Sequence, residues 1–116
     1  MGDPMLVPLL GSLNCERVLI FIYGREECYP REIARFYNTD LDPVRKQLDK
    51  LENGGVLASR VAGRTRLYTF NPRYPFLKEL KGLLKKALSF YTPEAQEALL
   101  MIRRRPRRRG KPLEAG

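Results

Sequence analysis

A chain of 116 residues has the length of one domain with a single core and little to spare. Its apolar content of 43% is ordinary for a globular protein, and no uninterrupted apolar run approaches membrane-spanning length, so a membrane partner is not expected. The net charge of +9, of which +6 falls in residues 103–116, argues for a polyanionic partner, with nucleic acid first.

In residues 1–12, Gly2, Pro4, Pro8 and Gly11 oppose regular structure, and a flexible N-terminus is expected. No positive charge precedes its apolar part, so it does not read as a signal peptide. With only two cysteines, a reducing cytoplasm is the expected setting. Asn14 can cap a first helix, in which Val18, Leu19, Ile22 and Tyr23 recur at helical spacing and which ends near Gly24. Cys28-Tyr29 suffices for one short edge strand. Pro30 then opens a second helix with Ile33, Ala34 and Phe36-Tyr37 inward and Arg31, Glu32 and Arg35 outward. Asn38-Thr39-Asp40 is turn chemistry. A third helix has Asp42 as its cap and Pro43 as its first residue, or Asp40 as an earlier cap. Val44, Leu48 and Leu51 face its core, and Gly54-Gly55 ends it.

Val56–Val61 and Thr65–Phe70 read as strands hinged at Ala62-Gly63. Asn71-Pro72 closes that hairpin. A fourth helix runs from about Tyr74 with Leu77, Leu80, Leu84, Leu88 and Tyr91 in a stripe. Thr92-Pro93-Glu94 launches a fifth, whose Leu99-Leu100-Met101-Ile102 is apolar on more than one side, as a subunit interface would be. Beyond Arg105 the Arg/Pro/Gly composition cannot bury enough apolar area to fold alone. The expected organisation is a flexible segment (1–12), a folded domain (13–91), a C-terminal helix serving dimerisation (92–105) and a disordered basic tail (106–116).

Catalytic chemistry has little to stand on. The absence of histidine removes the commonest general base and neutral metal ligand. Cys15 and Cys28 lack a second cysteine nearby to complete a metal set and read as small apolar residues. Gly54-Gly55 is not followed by phosphate-loop residues. No enzyme activity, cofactor or metal is expected.

The run REIAR at 31–35, VRKQLDKLENGGVL at 44–57 and the glycine-arginine hairpin with Tyr68 together resemble the small bacterial winged-helix regulators of the arsenic-repressor and multiple-antibiotic-repressor kind. The resemblance covers residues 14–91, about two-thirds of the chain. It implies an α+β fold: a winged helix-turn-helix, with a three-helix core and a β-hairpin wing, followed by two further C-terminal helices. The chain departs from metal-sensing members, having no paired cysteines in the third helix and no histidine.

The resemblance also implies double-stranded DNA as partner, a homodimer through the first and fifth helices, and a nucleoid-associated cytoplasmic location. It leaves any small-molecule effector unknown. The third helix would lie in the major groove, with Arg45 and Lys46 in its first turn for guanine edges and Gln47 for adenine. Lys50, deeper along the helix, would meet a phosphate, as would Arg31 and Thr39. Arg64 and Arg66, with Arg60 on the outgoing strand, would form the wing, suited to a narrow minor groove. In the tail, Arg107-Arg108-Arg109-Gly110-Lys111-Pro112 resembles an AT-hook with Lys111 in place of an arginine, and reads equally as a nonspecific phosphate-binding segment. Two other readings use the same residues: an adaptor targeting a separate enzyme or mobile-element system to DNA, and an RNA- or protein-binding winged helix.

Overall fold

The computed structural model describes residues 5–104, with side chains through Leu100. Six helices and three strands follow in the order α1 (Val7–Leu10), α2 (Leu13–Arg25), β1 (Glu27–Cys28), α3 (Pro30–Tyr37), α4 (Leu41–Asn53), β2 (Leu57–Ala62), β3 (Thr65–Phe70), α5 (Leu77–Leu88) and α6 (Pro93–Arg104). The α+β architecture expected from the sequence is the one found.

The centre of the molecule is α2. Val18, Leu19, Ile20, Phe21 and Ile22 are all buried, so this helix is apolar around most of its circumference, as a helix covered on several sides must be. Ile33 of α3, Val44 and Leu48 of α4, Leu57 of β2, Leu84 of α5 and Leu99 of α6 close on it. Phe21, Phe36 and Tyr37 meet edge to face, with ring centroids 4.9–6.4 Å apart.

Local signals explain most boundaries. Ser12, in extended conformation, caps α2 by accepting the Cys15 N–H at 3.1 Å. The cap is Ser12 and not Asn14, because the helix begins at Leu13. Residues 7–10 form a helical turn where none was expected. Pro8 sits in its first turn, where a missing N–H does no harm, and the Leu6 N–H at its head donates to the buried Glu16 carboxylate at 2.9 Å. That long-range bond is what residues 1–12 do not reveal when read by themselves.

Asn38 takes the left-handed conformation at the end of α3, and the three-residue turn 38–40 leads into α4. Asp40, not Asp42, is the cap position of α4, which therefore starts at Leu41. Arg45 and Lys46 consequently fall in the second turn of the helix and not the first. The end of α4 is a Schellman motif: Gly55 has φ +82°, its N–H donates to the Glu52 carbonyl at 3.0 Å, and the Val56 N–H to that of Leu51 at 2.9 Å.

The strands form one antiparallel sheet in the order β1-β3-β2, with Cys28 opposite Tyr68 and Ser59 opposite Tyr68 on the other side. The edge strand is Glu27–Cys28, Tyr29 having become the cap of α3. The hairpin turns at Gly63-Arg64, one residue later than expected. Gly63 has φ +67° and Arg64 does not have positive φ, the combination of a type II′ turn. Asn71 then ties the root of the hairpin to the end of α4: its amide Nδ2 donates to the Gly55 carbonyl at 2.9 Å and its N–H to that of Val56 at 3.0 Å.

Helix α5 starts at Leu77 and not Tyr74, since Pro75 disfavours helical backbone in the residue before it. Thr92 caps α6 through the Ala95 N–H at 3.1 Å. Leu99, counted from sequence among surplus apolar surface, is fully buried. The close approach of α6 to α2 depends on Gly24, where a Cβ would stand 3.4 Å from that of Leu99. Arg25, also buried, donates from Nε to the Leu99 carbonyl and from a terminal nitrogen to that of Ala98 at 3.2 Å, with its guanidinium 4.5 Å from the Phe21 ring centre. No helix of the described residues is long and apolar enough to cross a membrane.

Candidate nucleic-acid interface

The arrangement of α3, turn, α4 and hairpin creates a cleft of about 450 Å³ lined by Tyr29, Arg31, Glu32, Arg35, Arg45, Arg64 and Thr65. Each arginine arrives for a local reason. Pro30 starts α3, so Arg31 and Arg35 lie one helical turn apart on one side of it. Val44 and Leu48 turn the opposite side of α4 to the core and leave Arg45 exposed. The type II′ turn puts Arg64 at the tip of the hairpin.

The one carboxylate in the cleft, Glu32, accepts the Tyr29 N–H at 2.7 Å and is thereby occupied at the start of α3. Among the described residues, none of the four arginines makes an ion pair. Four guanidiniums against one carboxylate give the cleft a net positive charge, and guanidinium forks are the groups that pair with phosphate oxygens.

The other residues expected to touch DNA are placed differently. Lys46 and Lys50 are exposed on α4 one turn apart, and Lys50 is near enough to α2 for its charge to act on Cys15. Gln47 is half-buried, with its Oε1 covered and without a hydrogen-bond partner. Thr39 is half-buried in the turn, its N–H donating to the Ala34 carbonyl at 2.9 Å.

Arg60 and Arg66 do not share a surface, because Arg60 pairs with Leu67 and Arg66 with Val61, and side chains alternate along a strand. Arg60 points to the face of Glu27, 3.7 Å away. Arg66 points to the α4 side, where Nε donates to Ser59 Oγ at 2.9 Å and Ser59 in turn donates to the Glu52 carboxylate at 2.6 Å. The Tyr68 hydroxyl lies in the same region. Its pKa is raised by burial first and by Asp49 and Glu52, while Arg66 and Arg45 oppose them. The hairpin is thus joined to α4 by the Ser59–Glu52 hydrogen bond, with Tyr68 within reach of the charges of Asp49 and Arg45. Arg107, Arg108, Arg109 and Lys111 lie outside the described residues.

Arg35 is the site residue that sequence reading passed over. It was placed on the outer face of its helix, and the signal was there in its four-residue spacing from Arg31. Nothing in sequence placed the hairpin tip against that face. Cys15 and Cys28 are both buried free thiols. Burial pushes the Cys28 thiol far above its ordinary range, Glu32 adding to the effect and Arg25 opposing it.

No family model and no curated protein matches this sequence. Among solved structures, the chain is similar to a double mutant of Lactococcus lactis ZitR in its apo form. The match has a TM-score of 0.51 at 20% sequence identity, covering 84% of this chain and 88% of that one. An identity this low carries the fold alone, and the shared fold is the winged helix. With its α3-turn-α4 unit, its hairpin joined to α4 and a neighbour of that architecture, this chain has the winged-helix fold.

Proposed function

We propose that this chain is a DNA-binding transcriptional regulator that reads duplex DNA with α4 and clamps the adjoining backbone in the arginine cleft. One observation carries the reading: Arg31, Arg35, Arg45 and Arg64 converge from helix-turn-helix and wing on one cleft, where they outnumber its single carboxylate, Glu32, and form no ion pair with it. In this reading Arg45 and Lys46 approach base edges in the major groove, while Arg31, Arg35 and Arg64 hold phosphates. Gln47 drops out of the base-reading set because its oxygen is covered. Arg60 and Arg66, paired within the protein, serve to set the wing's position. Lys50 and Thr39 flank the contact, and the basic tail adds affinity along the duplex.

A homodimer reading a two-fold site fits the exposed Met5, Leu9 and Leu13, which lie on and beside α1 and the start of α2. Leu99 no longer supports it, being core.

The test is selection from a random duplex library, with single-stranded RNA as competitor, using the full chain and a chain ending at Arg104. The full chain should enrich a defined duplex motif and prefer it over RNA. Arg45→Ala should relax preference at one base pair by ~1–3 kcal/mol. Removing the five cations of residues 105–116 should lower the salt slope of binding by up to about 4.5. Absence of any enriched motif, or tighter binding to RNA, would overturn the reading.

A further inference from the structure

On another side of the molecule, the end of α2, the root of β3, α5 and α6 enclose a cleft of about 640 Å³. That volume lies within the range of small-molecule sites. Its apolar surface comes from Ile22, Phe70, Leu88 and Leu100, and Lys81 and Lys85 line it from α5. The two lysines are four residues apart and share one side of the helix. Both are exposed, and among the described residues neither forms an ion pair. The Lys81 ammonium stands 5.7 Å from the Phe70 ring centre, which holds it at the boundary between apolar surface and charge.

Three uncharged polar side chains of the cleft are already engaged inside the protein, while the Tyr23 phenol also lines it. Gln96 donates its amide to the Tyr91 carbonyl at 3.0 Å, Ser89 Oγ to that of Lys86 at 2.5 Å, and Thr69 Oγ1 to that of Phe70 at 3.2 Å. What faces a ligand is therefore a largely apolar wall with the Tyr23 phenol and, on the α5 side, two cations. Glu26, the residue that caps the end of α2, also lines the cleft, so its charged lining is two cations and one carboxylate. A bound anion is drawn to the α5 side, where the two lysines stand.

From this arrangement we infer that the cleft binds a small organic anion, a carboxylate carrying an aromatic or aliphatic body of about ten heavy atoms. The body fills the space between Ile22, Phe70, Leu88 and Leu100, and the carboxylate meets Lys81 and Lys85. Phe70 and Thr69 belong to the strand that continues to Arg66 and the wing, so occupancy is felt along β3.

The site is tested without DNA, so its outcome is independent of the DNA-binding reading. Benzoate and octanoate are titrated into the isotopically labelled full chain, with amide resonances followed by NMR. Both carboxylates should give saturable shifts at Thr69, Phe70, Lys81, Lys85 and Ser89, with Kd of about 1 mM or tighter. Octylamine, the same body with a positive head, should give none there. The surface variant Lys81→Glu/Lys85→Glu should retain the dispersed spectrum and lose at least ~10-fold in octanoate affinity. Failure of both carboxylates to saturate, equal shifts from the amine, or unchanged affinity in the variant would overturn the proposal. So would shifts at these amides that follow protein concentration without ligand, since a second copy would then fill the cleft.

Discussion

Replacing Arg35 and Arg64 together by alanine removes two of the four guanidiniums around the interface cleft while leaving the core untouched, because both side chains are exposed. If each holds a phosphate, each contributes about 0.9 to the slope of log affinity against log salt, so the pair contributes about 1.8. Raising salt fourfold, from about 50 to about 200 mM, should then shrink the ratio of wild-type to variant affinity by about 12-fold. Fluorescence anisotropy of a labelled duplex, titrated at several salt concentrations with the full chain, measures this directly. The matched control is Arg73→Ala/Lys78→Ala, which removes the same charge from exposed positions outside the cleft. Two results would refute the reasoning: a slope unchanged in the Arg35/Arg64 variant, or the same loss of slope in the control. The first would mean that the cleft does not face the backbone, and the second that only net charge matters. Melting temperature should stay near wild type in the control and rise slightly in the Arg35/Arg64 variant, where repulsion within the cleft is relieved.

Arg25→Ala should lower unfolding free energy by about 3 kcal/mol, through loss of charged donors to two α6 carbonyls, as read by urea denaturation. An unchanged midpoint would show that α6 stays in place without it. Gly63→Val forces a β-branched residue into positive φ at the hairpin turn and should cost about 1–2 kcal/mol, with protection from hydrogen exchange lost first in β2 and β3. Alkaline pH should destabilise the fold in two stages. The Cys28 thiol and the Tyr37 phenol are raised above ordinary values near 9 and 10 respectively, burial being the leading cause in each. The unfolded chain therefore releases these protons first, and stability falls as pH rises through 9 and then faster through 10. Cys28→Ala should remove part of the first stage; a flat urea midpoint between pH 8 and pH 11 would contradict the linkage.

The helix-turn-helix and hairpin were legible because residues of restricted backbone mark their ends. Pro30, Asn38, Gly54-Gly55 and Gly63 each permit or forbid a particular conformation, and each stands at a boundary found in the structure. Where two competent residues lay close together, local chemistry left the choice open. Asp40 and Asp42 were both open as caps of α4, and the helix begins after Asp40; Asn14 was expected to cap α2, where Ser12, two residues earlier, does so. Contacts distant in sequence were not legible. The Leu6 bond to Glu16, the burial of Leu99 and the capture of α6 carbonyls by Arg25 need the tertiary arrangement. The separation of Arg60 from Arg66 was readable from strand parity alone once the turn is located. The cleft itself required the hairpin tip to be brought to α3, and no stretch of sequence states that distance.

The four arginines also have a consequence for the protein when nothing is bound to it. Like charges gathered on a concave surface repel one another, and this repulsion works against the folded state that gathers them. The free chain is accordingly less stable than its core alone would make it. Any multivalent anion that enters the cleft relieves the repulsion and raises the melting temperature by mass action. Sulfate or phosphate buffer will therefore flatter measurements of stability while competing with DNA in measurements of affinity. The two properties should be compared only in a buffer of monovalent ions, where the free protein carries its full electrostatic burden.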